Sequence, residues 1–211
     1  RALLLKPDLL LMDEPLASLD ARRKREILPF LDRLHRELRI PLLYVTHSLQ
    51  EVAQLADHLV IMTDGQAVAS GSLTDTLSRL DVALAHDRDA VTVWPATVIG
   101  HETEYQLTRV AIAGGEFSLP HIASDVGSSL RIQIQARDVS IALDPPTRSS
   151  ILNILPATID SLISDGAQTI VKLQVNDQPL LAHITHKSTV KLGLQTGMKV
   201  FAQIKGSSVL N

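Results

Sequence analysis

The stretch Leu9-Leu10-Leu11-Met12-Asp13-Glu14-Pro15 decides how the first part of this chain folds. Four consecutive apolar residues, too few for a helix and followed by two carboxylates and a proline, predict a strand that is buried on both faces. Asp13 and Glu14 then stand at the carboxyl end of that strand. Because ligands bind along this edge of open α/β sheets, both acidic residues are placed for chemistry rather than for packing.

A hydrophobic strand that ends in Asp-Glu carries the two carboxylates that nucleoside triphosphate hydrolysis uses. One carboxylate holds a magnesium ion through its water shell, and the next orients and polarises the attacking water. For these two residues alone, a buried strand that ends in a solvated acidic turn is the simpler alternative. The residues that follow decide between the two interpretations.

Two further motifs follow in order. The loop Leu16-Ala17-Ser18-Leu19-Asp20 precedes a helix, and a second apolar strand, Leu42-Leu43-Tyr44-Val45-Thr46, ends in His47-Ser48. Together the three motifs resemble the Walker B strand, the Ser-Leu-Asp loop and the switch histidine of the ATP-binding subunits of ABC transporters. The resemblance implies an α/β domain that is part of a P-loop NTPase, with ATP and Mg²⁺ as cofactors.

The resemblance also implies a role for each residue. Asp13 would hold the Mg²⁺ shell, and Glu14 would be the catalytic base. Asp20 would bind nucleotide in the loop that reaches across a dimer, and His47 would contact the γ-phosphate as a catalytic residue. These roles suit phosphoryl transfer, which depends mainly on positioning and charge stabilisation. For His47 taken alone, a satisfied core histidine is the alternative.

The composition argues against several other classes of protein. The 211 residues carry a net charge of −3, which provides no basic field for nucleic acid or anionic lipid. The absence of cysteine excludes disulfide frameworks and thiolate metal sites. No apolar run approaches the roughly 18 residues that cross a bilayer. We therefore expect any link to a membrane to come through a partner.

The sequence contains no Gly-x-x-x-x-Gly-Lys-Ser/Thr phosphate loop. In ABC ATPases this loop, the glutamine loop and the signature motif all precede the Walker B strand. The resemblance therefore implies that the chain is the C-terminal part of a longer protein and that it is inactive as an ATPase by itself.

Local signals predict the elements around these motifs. Asp20 is a good N-cap for the helix that follows, and Ser48 and Glu51 form a capping box for a second, short helix. For the basic run at residues 22–25 a solvated helix face is the favoured interpretation, with contact to a partner or phosphate as the alternative. Residues 59–62 predict another buried strand, which Asp64-Gly65 connects to the next in a hairpin.

From about residue 90, short alternating runs bounded by glycine or proline predict a small all-β module. An internal echo accompanies them: residues 95–99 match 156–160, His121-Ile122 matches His183-Ile184, and 130–139 runs parallel to 200–209. Matches in the same order predict two copies of one β unit of about sixty residues, with chance alternation as the alternative. We expect part of a nucleotide-binding domain at residues 1–88 and OB-like β units at 89–145 and 146–211.

The segment Ser149-Ser150-Ile151-Leu152-Asn153-Ile154-Leu155-Pro156 resembles the opening of a transport-associated OB-like (TOBE) domain of the molybdate-binding type. The resemblance implies a site for molybdate or tungstate, which needs hydroxyl and N–H donors together with a cation. The residues implied for this site are Ser150, Asn153, Thr185, Ser188, Lys205 and Ser207. Leu152 stands where the family often has arginine, so a structural or dimerising domain is the alternative.

Together the resemblances imply the ATPase subunit of an ABC importer for molybdate or tungstate, peripheral to the cytoplasmic face of the inner membrane. Its partners would be a second copy of itself, an integral-membrane permease and, indirectly, a substrate-binding protein. Importers of sulfate, ferric iron, polyamines or sugars carry similar domains and are the nearest alternative. A non-catalytic oxyanion-binding module is the alternative of another class.

Overall fold

The structure, a computed structural model, describes residues 7–38 and 40–206. It divides the chain into two compact units, with the division between Asp57 and His58. The boundary predicted near residue 88 is a boundary between family domains, which this division into compact units does not test. It stays a prediction. No helix in the two described ranges has the length and apolar character that a membrane span requires.

The first unit is a strand-helix-strand-helix arrangement. Its elements are β1 (Leu10–Asp13), α1 (Ala21–Leu38), β2 (Leu42–Val45) and α2 (Leu49–Leu55). β1 and β2 pair in parallel, with Asp13 opposite Val45, and α1 connects them. As predicted, Asp20 caps α1, because its Oδ1 accepts a hydrogen bond from the backbone N of Arg23 at 2.9 Å.

The prediction that the first strand is buried on both faces is wrong. Exposure alternates along β1 and β2, and Leu11 is 65% exposed. Leu28 of α1 and Leu55 of α2 pack with Tyr44 of β2 in a small core. The described elements of this unit therefore cover one face of the strand pair. The apolar side chains on the other face are exposed.

The second unit opens with a hairpin, β3 (His58–Thr63) and β4 (Gln66–Ser72). Asp64 and Gly65 connect the strands with positive φ values of 50° and 77°, as the Asp-Gly signal predicted. The expectation that the first of these strands is buried is wrong, because Val60 and Met62 are more than half exposed. Two short helices follow, α3 (Leu73–Leu77) and α4 (Ala83–His86).

The rest of the second unit is mostly β. Its strands are β5 (Val91–Glu102), β6 (Leu107–Ile112), β7 (Gly115–Pro120), β8 (Ser129–Gln135), β9 (Val139–Ala142), β10 (Asn153–Asp165), β11 (Gln168–Val175), β12 (Gln178–Thr185) and β13 (Lys199–Ile204), and α5 (His186–Leu192) lies between the last two. They form two antiparallel sheets, in the orders β7-β6-β5-β8 and β12-β11-β10-β13-β9. One core, with Trp94, Phe117 and Leu173 fully buried, joins the two sheets.

The strand pairing agrees with the predicted internal repeat. β5 pairs with β6 and β8 as β10 pairs with β11 and β13. Pro95 lies opposite Arg131, and Pro156 lies opposite Phe201, as the match of 130–139 with 200–209 requires. A register shift follows Val98 in one copy and Ile159 in the other. The long central strand of each copy is therefore bent at the same place.

One element of the predicted echo is out of register. Phe117 lies opposite Val110 in the first copy, and Leu180 lies opposite Leu173 in the second. Counting onward from these equivalent pairs, His121 corresponds to Ile184 rather than to His183. The paired histidines are therefore a coincidence of composition and do not mark a repeated site.

Candidate functional site

The structure brings together the two residues that were predicted to be catalytic. β1 and β2 run in parallel, so Glu14 and His47 leave the same edge of the pair. The Nδ1 of His47 donates a hydrogen bond to Oε1 of Glu14 at 2.7 Å. The backbone N of Glu14 donates to the carbonyl O of Val45 at 2.9 Å, which fixes the two strand ends relative to each other.

Glu14 has an unusual backbone conformation for a residue with a side chain. Its φ is 44°, in the left-handed region, which costs about 1 kcal/mol or more for any residue with a Cβ. Its carbonyl O accepts a hydrogen bond from the N of Ala17 at 3.1 Å, and this bond holds the turn. Strained conformations of this kind concentrate at functional sites, where the surrounding structure maintains them.

The hydrogen bond between His47 and Glu14 limits what the imidazole can do next. The side chain of His47 is 78% exposed, whereas that of Glu14 is 35% exposed. Because Nδ1 donates to the carboxylate, Nε2 is an acceptor in the neutral ring and a donor only in the doubly protonated ring. His47 can therefore donate to a phosphate either as an imidazolium or after it releases Glu14.

Asp13 and Asp20 lie on either side of this turn. Asp13 is exposed at the end of β1, and its carboxylate makes no hydrogen bond to the described residues. A hydrated magnesium ion uses one or two carboxylates together with waters and phosphate oxygens, so this unengaged carboxylate fits it. The carboxylate of Asp20, in contrast, already accepts the hydrogen bond that caps α1.

Sequence reasoning missed a buried carboxylate beneath this edge. Glu51 is only 2% exposed. Its Oε1 accepts from Nζ of Lys24 at 2.8 Å, and its Oε2 accepts from the hydroxyls of Tyr44 and Thr46, each at 2.8 Å. Burial alone would raise the pKa of Glu51, but these hydrogen bonds outweigh it and hold the pKa below its usual value. The same burial raises the pKa of Tyr44.

The only sequence signal for this cluster was interpreted as a capping box formed by Ser48 and Glu51. Half of that interpretation holds, since Oγ of Ser48 accepts from the N of Glu51 at 3.5 Å. The carboxylate does not return to the backbone of Ser48, because three stronger donors surround it. Lys24 was expected on a solvated helix face, and that expectation is wrong because it pairs with Glu51.

The residues implied for an oxyanion site fall into two groups. Thr185 and Ser188 begin α5, where the hydroxyl of Thr185 accepts from the N of Ser188 at 3.1 Å. Asn153 opens β10, with the exposed Ser150 before it and the exposed Lys205 just after β13. Ser207 lies outside the described residues.

These two groups lie at opposite ends of the same sheet. Asn153 pairs with Ile204 at one end of β10, whereas Asp165 at the other end pairs with Gln168, which in turn pairs with Thr185. At about 3.3 Å per residue, the contour length of β10 between the two groups is roughly 35 to 40 Å, which is an upper limit on their separation because the strand is bent. One chain therefore does not bring all of these residues into a single site.

The side chain of Asn153 is already committed to a contact between the two copies of the repeat. It is buried, its Oδ1 accepts from the N of Ser118 at 2.7 Å, and its Nδ2 donates to the O of Ser118 at 2.9 Å. A Cβ added at Gly206 would lie 2.7 Å from the same carbonyl oxygen. The close approach explains why glycine is required there.

Known proteins resemble this chain in its C-terminal part and over its whole length. Residues 149–210 match the TOBE domain family. The molybdenum import ATP-binding protein ModC of Pseudomonas syringae pv. syringae (strain B728a) is 50% identical over 214 residues, which cover 100% of this chain and 59% of that protein. The protein of the same name from Aromatoleum aromaticum (strain DSM 19018 / LMG 30748 / EbN1) is 48% identical over 211 residues, covering 100% of this chain and 56% of that protein.

The chain thus spans less than two thirds of the length of these curated relatives. Among solved structures, the cytoplasmic molybdate-binding protein ModG, in a form with molybdate bound, superposes with a TM-score of 0.52 at 21% identity. The superposition covers 56% of this chain and 93% of that one. At this identity the likeness establishes the fold alone, which is mostly β and of the TOBE/OB-like kind.

Proposed function

We propose that the protein to which this chain belongs is the ATPase subunit of an ABC importer of molybdate or tungstate. About 50% identity to two molybdenum import ATP-binding proteins over the full chain, and the match of residues 149–210 to the TOBE domain family, support the proposal. The single observation that carries the catalytic half of the proposal is the hydrogen bond between His47 and Glu14 at a parallel strand edge. The first unit then belongs to an α/β P-loop NTPase domain, part of which is the strand-helix-strand arrangement of β1, α1 and β2.

The proposed roles follow from the chemistry of the side chains. Asp13 would hold hydrated Mg²⁺, which supplies charge neutralisation at the phosphates. Glu14 would accept the proton of the attacking water, and His47 would orient Glu14 and contact the γ-phosphate. Asp20 would contribute to nucleotide binding from the loop that precedes α1, across a dimer of two copies.

The proposed assembly is a homodimer bound to an integral-membrane permease at the cytoplasmic face of the inner membrane. A substrate-binding protein would deliver the anion to the permease. ATP would close the two copies and hydrolysis would reopen them, which biases the permease between its conformations. Domain boundaries near residues 88 and 145 remain part of this proposal.

The test of this function uses the full-length protein with its permease in vesicles. We expect ATP-dependent uptake of molybdate, and we expect Glu14→Gln to lower steady-state ATP hydrolysis at least 100-fold while MgATP stays bound, because the base is lost and the binding groups remain. Arg22→Gln is the matched control, since Arg22 forms an exposed ion pair with Glu26 on α1. Unchanged hydrolysis by Glu14→Gln would exclude Glu14 as the base, and uptake of sulfate in preference to molybdate would reassign the cargo.

We also propose that the TOBE domain binds the oxyanion through the residues implied above. Because Thr185 and Ser188 lie at the opposite end of β10 from Ser150, Asn153 and Lys205 within one chain, each group would be half of a site that a second copy completes. Ser207, two positions after Lys205 in the sequence, is proposed for the second group. Oxyanion binding by the solved structure of similar fold motivates this proposal.

Equilibrium titration of the full chain with molybdate tests the oxyanion proposal. We expect Lys205→Gln to weaken binding about fivefold or more, because it removes a cation from the anion site. Lys199→Gln, at the other end of β13, is the matched control. No binding at millimolar molybdate would leave the domain with a structural or dimerising role.

A further inference from the structure

A carboxylate as buried as Glu51 is costly unless it is paired and fully hydrogen-bonded. Glu51 meets that requirement with three donors, one on Oε1 and two on Oε2. Such a network is a weak source of stability, because apolar residues of similar volume often stabilise a core at least as well. The network contributes precise positioning instead, because hydrogen bonds are directional and fix the relative positions of the groups that they join.

The groups joined on one side flank His47. Thr46 immediately precedes it, and its hydroxyl donates to Glu51 and accepts from the backbone N of Ser48 at 3.1 Å. The Thr46 hydroxyl therefore links Glu51 to the backbone on both sides of His47. Tyr44, two residues earlier on β2, donates to the same carboxylate oxygen.

The group joined on the other side belongs to the start of α1. Lys24 lies in the first turns of this helix, and its backbone N donates to the O of Asp20 at 3.0 Å. Its Nζ reaches Glu51 on α2. The loop that ends at Asp20 and the strand end that carries His47 are thus connected through one buried carboxylate.

We propose that Glu51 is a positioning residue: acting through Thr46, it holds His47 against Glu14 and couples that contact to the start of α1. The inference rests on the proposed ATPase function for its catalytic consequence. Accuracy matters in such a contact, because a displacement of about 1 Å at a reacting group can cost about a hundredfold in rate.

The first test uses Thr46→Val, which removes the linking hydroxyl and keeps the branched shape, and Thr46→Ser, which restores the hydroxyl. In the full-length protein we expect Thr46→Val to lower kcat about tenfold with the KM for ATP within about twofold, and Thr46→Ser to recover most of the loss. Lys24→Met should act in the same direction, whereas Arg22→Gln on the same helix should not. Equal kcat values for Thr46→Val and wild type would overturn the proposal.

The second test does not depend on ATP hydrolysis. In the 211-residue chain, nitrogen NMR of the His47 ring reports whether Nδ1 carries the proton that Glu14 accepts. We expect this signature in wild type and Thr46→Ser, and its loss in Thr46→Val while the melting temperature stays within a few degrees. An intact signature in Thr46→Val would overturn the positioning role, whereas absence of hydrolysis by the wild-type full-length protein would count against the proposed function instead.

Discussion

At the scale of single residues, the two groups that we propose to react differ in burial from the group that we propose to position them. Glu14 and His47 are exposed to different degrees and are hydrogen-bonded to each other, whereas the carboxylate of Glu51 is buried and bonds Lys24, Tyr44 and Thr46 instead. A strained backbone at Glu14 and a saturated carboxylate at Glu51 serve the same strand edge. In our proposal, Glu14 and His47 stay accessible because the buried hydrogen bonds of Glu51, rather than a closed pocket, fix the backbone that carries His47.

The lowered pKa of Glu51 makes the stability of the structure depend on acidity. A carboxyl group with a folded pKa below its unfolded value, about 4.3, contributes stability above that value and loses the contribution as the pH falls through the folded pKa. We therefore expect the free energy of unfolding to fall below about pH 4, and Glu51→Gln to flatten this dependence. Denaturant titrations between pH 3 and pH 7 measure it.

Glu26→Gln is the control for this measurement, because Glu26 is an exposed carboxylate that pairs with Arg22 on α1. Its removal should leave the slope with pH almost unchanged, since exposed pairs contribute little. An acid dependence that is the same in wild type and Glu51→Gln would contradict the assignment.

At the scale of elements, the two copies of the repeat hold each other by equivalent contacts. Asn153 at the start of β10 bonds the backbone of Ser118 on β7, and Thr92 at the start of β5 accepts from the N of Leu181 on β12 at 3.1 Å. Residues 118 and 181 are themselves equivalent by the strand pairing. The first residues of each central strand therefore satisfy backbone groups of the other copy's sheet.

We expect these two contacts to differ in strength. Asn153→Ala leaves a donor and an acceptor of Ser118 unpaired and should cost about 2 to 4 kcal/mol, whereas Thr92→Val leaves one donor unpaired and should cost about 1 to 2 kcal/mol. Urea denaturation followed by the fluorescence of Trp94, the single tryptophan, measures both. Ser140→Ala, at an exposed serine, is the control. A smaller loss for Asn153→Ala than for Thr92→Val would contradict this ranking.

At the scale of the whole molecule, the chain pairs a strand edge that suits nucleotide chemistry with a mostly β unit. The chain covers 59% of its relative from Pseudomonas syringae, and its sequence contains no phosphate loop. Leu11 and Leu43 pair with each other, and together with Val45 they form an exposed apolar face of β1 and β2. The activity that we propose is therefore that of the whole protein, by comparison with relatives that are longer than these 211 residues.

We expect the 211-residue chain to release no phosphate from MgATP above background, because it lacks the backbone cradle that binds the β- and γ-phosphates. Phosphate release at millimolar MgATP measures this, with the full-length protein as the positive control. Turnover by the 211-residue chain, abolished by Glu14→Gln, would require a phosphate-binding site within the chain itself.

The sequence by itself determined the features that depend on neighbours in the chain. Acidic residues after a short apolar run, an N-cap at Asp20 and a turn at Asp64-Gly65 are local, because a few consecutive residues set their backbone conformations. The repeat could also be predicted from the sequence, because the two copies preserve the same alternation of side chains along equivalent strands. Glu14 and His47 could be paired in advance, since parallel strands end at one edge.

Only the tertiary structure decided where the remaining groups lie. The side chain of Glu51 bonds Lys24, 27 positions away, and not the backbone of its own helix cap. A buried carboxylate is stabilised more by a charged partner than by a backbone amide. The residues implied for one oxyanion site separated to two ends of β10, because strand pairing rather than sequence order sets distances across a sheet. Long-range pairing and burial depend on contacts between distant parts of the folded chain, so no short stretch of sequence determines them.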